Sequence, residues 1–185
     1  MMRRASIIFS LVLLLGLAVF LLNECHSRGK INRDQGFLSI SEITLERIWD
    51  NCIGCANYKV TLSKDGPDPY KDVSITYTET KTESRSGGLQ TQSTVQRKGK
   101  LGSFYFHRLA ILLESQGYFK LKDHYGAGII DTLIVKTSVV RDGSRRAVLN
   151  NAQEGPIELW GIEMAIDGAI ARVTWEPEDS KQLQP

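Results

Sequence analysis

The sequence predicts an α+β domain: two helices packed on one face of a mainly antiparallel sheet of about five or six strands. Three observations predict it. Apolar and polar residues alternate with a period of two in several short segments separated by turn formers. Twice that period gives way to helical spacing, first near Ser103 and again after Gly155-Pro156. A long apolar run at the N-terminus, the mark of a hydrophobic helix, stands apart from both patterns behind a polar stretch.

That run comes first in the chain. Arg3 and Arg4 precede an uncharged apolar segment from Ala5 to Leu22, which suits lipid better than a globular core. Spanning a bilayer takes ~17–25 such residues, and a cleavable signal core ~7–15, so residues 1–22 fit a signal-anchor or a signal peptide. Cys25 and Ser27 are small residues suited to a cleavage site, and Leu22-Asn23-Glu24-Cys25 resembles a lipoprotein box apart from its glutamate. An uncleaved anchor is the favoured reading, and a secreted form or a lipoprotein the weaker ones. The two arginines favour a cytoplasmic N-terminus. A single pass through residues 5–22 would then put the remaining chain on the external, periplasmic side of the cytoplasmic membrane, where disulfides persist. Residues 23–37 are polar and read as a tether, residues 38–176 as the folded domain, and residues 177–185 as a disordered tail.

Within the domain, "SEITLERI" alternates Ile43 and Leu45 against Thr44, Glu46 and Arg47, a half-buried strand. "YKVTLSKDG" aligns Tyr58, Val60 and Leu62, and "VSITYTET" aligns Val73, Ile75 and Tyr77. Between them, residues 64–72 are dense in turn formers. Residues 79–100 are polar, threonine-rich and interrupted by Gly87-Gly88, a pattern that fits a long solvated hairpin as well as a mobile loop. Phe106, Leu109, Ala110 and Leu113 then follow helical spacing, with Ser103 as the expected N-cap and Gly117 as the terminating glycine. "DTLIVKTSVV" and "SRRAVLNNA" are strands joined by an Asp142-Gly143 hairpin turn. Pro156 opens the second helix, with Leu159, Ile162, Ile166 and Ile170 as its buried stripe, and Trp175 marks a short final segment.

Composition narrows the function classes. With 23 basic and 21 acidic residues the net charge is +2, so no basic field points to nucleic acid. The sequence contains no G-x-S-x-G, no H-E-x-x-H and no phosphate-cradling glycine loop. His107 reads as a helix-surface or half-buried histidine. Asp123, His124 and Tyr125 combine an acid, a base and a hydroxyl, but adjacent residues seldom converge on one atom. Asp131 and Asp167 read as partners for nearby backbone or side-chain groups. These residues imply no catalytic role, no metal site and no cofactor.

The order of the motifs resembles the bacterial family known as domain of unknown function 6438, over roughly residues 40–176. Members of that family begin with a strand ending in arginine, then C-x-G-x-C-P-x-Y, a second strand and an Asp-Gly turn. The matching residues are Arg47, Cys52, Gly54, Cys55, Tyr58, Asp65 and Gly66. Further on, the Tyr125 region, Asp131, the Asp142-Gly143 hairpin, Pro156, Leu159, Asp167 and Trp175 fall in the family's order. The cysteines are one residue closer than is usual there, and Ala56 stands where the family has proline. The resemblance implies a fold and an exported setting but no activity.

The Cys52-x-x-Cys55 pair allows four states: a structural disulfide, a redox couple, part of a metal site, or free thiols. A redox couple needs a helix N-terminus to lower one thiol pKa, and a structural zinc usually needs four ligands. This pair lies between two strand patterns, and in an exported protein a local disulfide pinning the turn is favoured. The expected function is a non-enzymatic binding or structural module of the bacterial cell envelope, membrane-tethered, with an envelope protein or ligand as partner. The alternative is a thiol–disulfide oxidoreductase using the same two cysteines.

Overall fold

The structure is a computed structural model, and it describes residues 39–49, 52–66, 68, 70–84, 90–127 and 132–177. The expected N-terminal hydrophobic helix of residues 1–22, the expected tether 23–37, Gly87-Gly88, Asp131 and nearly all of the expected tail 177–185 lie outside them. Among the described residues, no helix is long and apolar enough to cross a membrane.

The chain forms β1 (Ile40–Trp49), β2 (Ala56–Ser63), β3 (Val73–Ser84), β4 (Gln90–Leu101), α1 (Ser103–Ser115), a 3-10 turn (Tyr118–Lys120), β5 (His124–Tyr125), β6 (Leu133–Arg141), β7 (Ser144–Asn151), α2 (Ile157–Ile170) and β8 (Thr174–Trp175). The strands make one eight-stranded sheet in the order β5-β7-β6-β1-β2-β3-β4-β8. Every pairing is antiparallel except β5 with β7. The α+β class and antiparallel sheet agree with the sequence. The count of five or six strands is corrected to eight. Two of the additional strands are two-residue segments, too short to show a period. β4, whose residues Gln90–Lys98 are mostly polar on both sides and fit a hairpin as well as a loop, is held to β3 by a continuous register from Ser84↔Gln90 to Val73↔Leu101.

The pleat sorts side chains between two faces. On one face Ile43, Leu45, Val60, Leu62, Val73, Ile75, Val135, Val139 and Val148 are buried together with Phe106, Leu109, Ala110 and Leu113 of α1 and Leu159, Ile162 and Ile166 of α2. Both helices therefore close one core on one face. The opposite face carries ion pairs that cross strands, such as Lys59–Glu46 at 2.7 Å and Arg145–Glu42 at 2.7 Å. Tyr118 is fully buried, and its hydroxyl donates to the Thr137 carbonyl at 2.7 Å, closing the core under β6.

Local signals worked where backbone geometry demanded one residue type. Asp142 and Gly143 have φ of 51° and 74° and join β6 to β7, as a two-residue hairpin turn requires. Gly117 follows α1 with φ 68°. The expected N-cap is corrected: Gly102 takes that position with no side-chain cap bond, and Ser103 is the first helical residue. Arg47 also changes sides. Strict period two puts it on the core face with Ile43 and Leu45, rather than with Thr44 and Glu46.

Candidate functional site

Arg47 lies near the end of β1, two residues beyond buried Leu45, with Tyr58 opposite it on β2. Asp167 lies one residue after Ile166 of the buried α2 stripe, so its carboxylate reaches the sheet from above. Arg47 Nε and Nη2 both donate to Asp167 Oδ2, at 3.1 and 2.6 Å. The Tyr58 hydroxyl donates to Asp167 Oδ1 at 2.5 Å. Both carboxylate oxygens are thereby engaged, in the charge-assisted geometry that makes such bonds strong.

The environment fixes the protonation of Arg47 and Tyr58. Burial alone would lower the Arg47 pKa, but the hydrogen bonds and charge of Asp167 outweigh it and raise the value. Burial, then the neighbouring Asp167, pushes the Tyr58 phenol well above its ordinary value. Tyr58 therefore remains a protonated donor and is not poised as a phenolate.

One helical turn earlier, Glu163 is 1% exposed. Asn150 Nδ2 donates to its two oxygens at 3.0 and 3.3 Å, and Asn150 Oδ1 accepts from the Gly155 amide at 2.8 Å. One asparagine thus ties β7, the entry to α2 and the helix itself. Burial raises the Glu163 pKa against the opposing pull of Asn150 and Arg47.

Aromatic rings continue the cluster across the sheet. Tyr58 stacks on Tyr77 with centroids 5.7 Å apart, and Tyr77 meets Trp175 edge-on at 5.9 Å. The Arg97 guanidinium lies 5.3 Å from the Trp175 ring. Tyr77 donates to Glu79 Oε2 at 2.7 Å. Gly99 is what lets β8 approach, because a Cβ there would stand 2.6 Å from Val173. Trp49, at the end of β1, is 40% exposed.

The cysteine turn borders this end of the sheet. Cys52 and Cys55 are disulfide-bonded, with Cα atoms 5.4 Å apart. Gly54, at φ 88°, donates its amide to the Thr82 carbonyl at 2.8 Å, and Asn57 Oδ1 accepts from the Trp49 amide at 2.7 Å. The turn therefore links β1, β2 and β3. β2 follows Cys55 directly, so no helix begins at the pair.

Of the residues singled out in the sequence, Arg47, Tyr58 and Asp167 meet, Trp175 joins them through Tyr77, and Cys52, Gly54 and Cys55 flank them. Asp65 and Gly66 belong to the separate β2–β3 turn. There Asp65 accepts from Ser74 Oγ at 2.5 Å and Lys100 Nζ at 3.1 Å, and those two bonds hold its carboxyl below the usual range. Pro156 is the α2 N-cap. His107 is half-buried on α1, its pKa lowered by burial and by Lys64. Asp123 pairs with Arg146, His124 contacts Asn151 Nδ2, and the Tyr125 hydroxyl accepts from the Lys122 amide, so the triplet does not converge.

Sequence reasoning missed Glu163, Asn150, Tyr77 and Arg97. Glu163 carried a readable signal: an acidic residue inside the buried stripe between Ile162 and Ile166. The face of Tyr77 was legible from its alternation with Val73 and Ile75, but its ring contacts, like the roles of Asn150 and Arg97, depend on strand register. Among the described residues, no three His, Cys, Asp or Glu side chains could hold a metal. A groove of about 260 Å³ lies elsewhere, between Tyr105, Arg108 and Leu112 of α1 and Ala165, Gly168 and the following Arg172 on the α2 side.

Asp167 has both oxygens occupied, and Glu163 is sealed behind Asn150. These contacts tie β1, β2 and β7 to α2. No known family model, curated protein or solved structure matches this chain.

Proposed function

We propose that this protein is a non-enzymatic binding or structural module of the bacterial cell envelope. It is tethered to the cytoplasmic membrane through residues 5–22, with its domain on the external side. The order of Arg47, Cys52, Cys55, Tyr58, Asp167 and Trp175 supports a relationship to domain of unknown function 6438. The observation that carries the binding reading is the closed Arg47–Asp167–Tyr58 network. Both Asp167 oxygens are engaged there, while Trp49, two residues beyond Arg47, and Trp160, two turns before Asp167 on α2, stay 40% and 44% exposed. Rigid aromatic surface over a satisfied polar support is the arrangement that interface anchors use. The partner is an envelope protein or ligand.

A photo-crosslinking amino acid in place of Trp49 or Trp160, in living cells, tests this reading. A discrete adduct at either position is expected. Absence of any adduct at both, in protein shown to be membrane-associated, refutes it.

The oxidoreductase alternative requires Cys52 and Cys55 to cycle. The turn between two strands, without a following helix, offers nothing to stabilise a thiolate. Maleimide trapping separates the two: a fully oxidised pair supports a staple, and a mixed population supports the enzyme.

A further inference from the structure

β4 is twelve residues long but is covered on its outer side over a short stretch. β8 pairs with it at Gly99↔Trp175 and Lys100↔Thr174, and the Glu176 amide donates to the Lys98 carbonyl at 2.9 Å. Among the described residues, no strand pairs with the outer edge of Gln90–Arg97. The Glu176 bond fixes the phase of that edge. Because the Lys98 carbonyl points away from β3, the main-chain groups of Gln90, Gln92, Thr94 and Gln96 point away from it too. The β3–β4 register runs without a bulge, so this phase holds along the strand.

Natural sheets guard such edges with charge, proline or bulges. Arg97 and Lys98 guard the β8 end, but the seven residues Gln90–Gln96, "QTQSTVQ", contain neither charge nor proline. Gln92, Ser93, Thr94, Val95 and Gln96 are all exposed, Val95 at 49%. An unguarded edge of this length is a template for strand addition.

We infer that this edge pairs with the same edge of a second copy of the chain. The strands would run antiparallel about a twofold axis at Ser93, joining two eight-stranded sheets. The register follows from the phase and the charges. With Ser93 opposite Ser93 of the second copy, Gln90 faces Gln96 and Gln92 faces Thr94, each an outward-pointing pair, for about eight backbone hydrogen bonds. Thr91 faces Val95, a combination that suits cross-strand contact. Arg97 and Lys98 fall outside the paired stretch, so no like charges meet, and Glu176 is left undisturbed. Sliding the axis towards Thr94 or Val95 would drive the second strand into the Lys98–Glu176 contact.

The test uses the full chain, purified in detergent, with mass measured by light scattering. The wild type is expected to dimerise and Gln92→Pro to be monomeric. The Gln92 amide faces outward, so proline there blocks the new ladder and spares the β3 pairing. If Gln92→Pro loses its circular dichroism spectrum, Gln92→Lys with Thr94→Lys, which sets like charges across the axis, is expected to give the same monomer. In a Cys25→Ser background, Ser93→Cys should oxidise to a covalent dimer roughly tenfold faster than Thr91→Cys, whose counterpart is Val95. A wild type that is monomeric at every concentration overturns the inference. So does a dimer that survives both edge variants, which would place assembly in residues 5–22 or on another face. Cross-linking of Ser93→Cys to a different protein but not to itself overturns it as well.

Discussion

α1 and α2 lie on the same sheet but differ in what they turn towards it. α1 turns a wholly apolar face inward: Phe106, Leu109, Ala110 and Leu113 face the sheet, while Arg108 and Ser115 face out together with Phe104, Tyr105 and Ile111. α2 buries Leu159, Ile162 and Ile166 as expected, yet it also turns Glu163 and Asp167 towards the sheet. Its outer side shows Ile157, Trp160 and Met164, which are 69%, 44% and 46% exposed. Burying acids costs free energy unless they are paired, and exposing large apolar side chains wastes burial. A helix selected for stability alone would swap the two sets. The contrast teaches that the inner face of α1 closes the core, whereas the inner face of α2 also positions a polar clamp.

Substitutions can break this contrast in order of size. The largest loss is expected on α1, where Phe106→Ala should cost about 3–5 kcal/mol by leaving a cavity, measured by urea unfolding. On α2, Asp167→Ala leaves the Arg47 charge unpaired and Tyr58 without its acceptor. Because the ion pair is 12% and 24% exposed, the loss should be smaller, about 2–3 kcal/mol.

Glu163→Gln should go the other way. A folded-state pKa raised by burial means that the folded protein holds this proton more tightly than the unfolded chain does. Glu163 therefore favours folding below about pH 4.3 and costs stability as pH rises through its folded value. Glu163→Gln should gain stability at pH 7 and flatten the stability profile above about pH 4.3, measured by unfolding across that range. The smallest effect is expected outside: Met164→Lys should stay within about 0.5 kcal/mol. A loss of several kcal/mol there would mean that the outer face of α2 is covered in the folded protein.

The same contrast sets how much was legible in the sequence. α1 was readable, since Phe106, Leu109, Ala110 and Leu113 follow the 3.6-residue period and Gly117 ends it. β1, β2, β3, β6 and β7 were readable because one face of each meets the core. β4 was not, because its polar residues beyond Gly99 carry no buried face and its partner is found through backbone bonds. Arg47, Tyr58 and Asp167 stood out by their motif order, but their meeting depends on α2 crossing the end of β1. That is a separation of 120 residues, which no local pattern encodes. Counting phase along β1 would have placed Arg47 on the core face. Its charge suggested the opposite, because an arginine on that face needs a partner the strand does not contain.

A double-mutant cycle tests the clamp most directly. Arg47→Met, Asp167→Leu and the double variant are compared with the wild type by urea unfolding. If Arg47 and Asp167 form the clamp that holds α2 on the sheet, the double variant should be more stable than the sum of the single losses allows, with a coupling of about 2 kcal/mol. Coupling within about 0.5 kcal/mol of zero would contradict the account, leaving the contact as two independent surface charges.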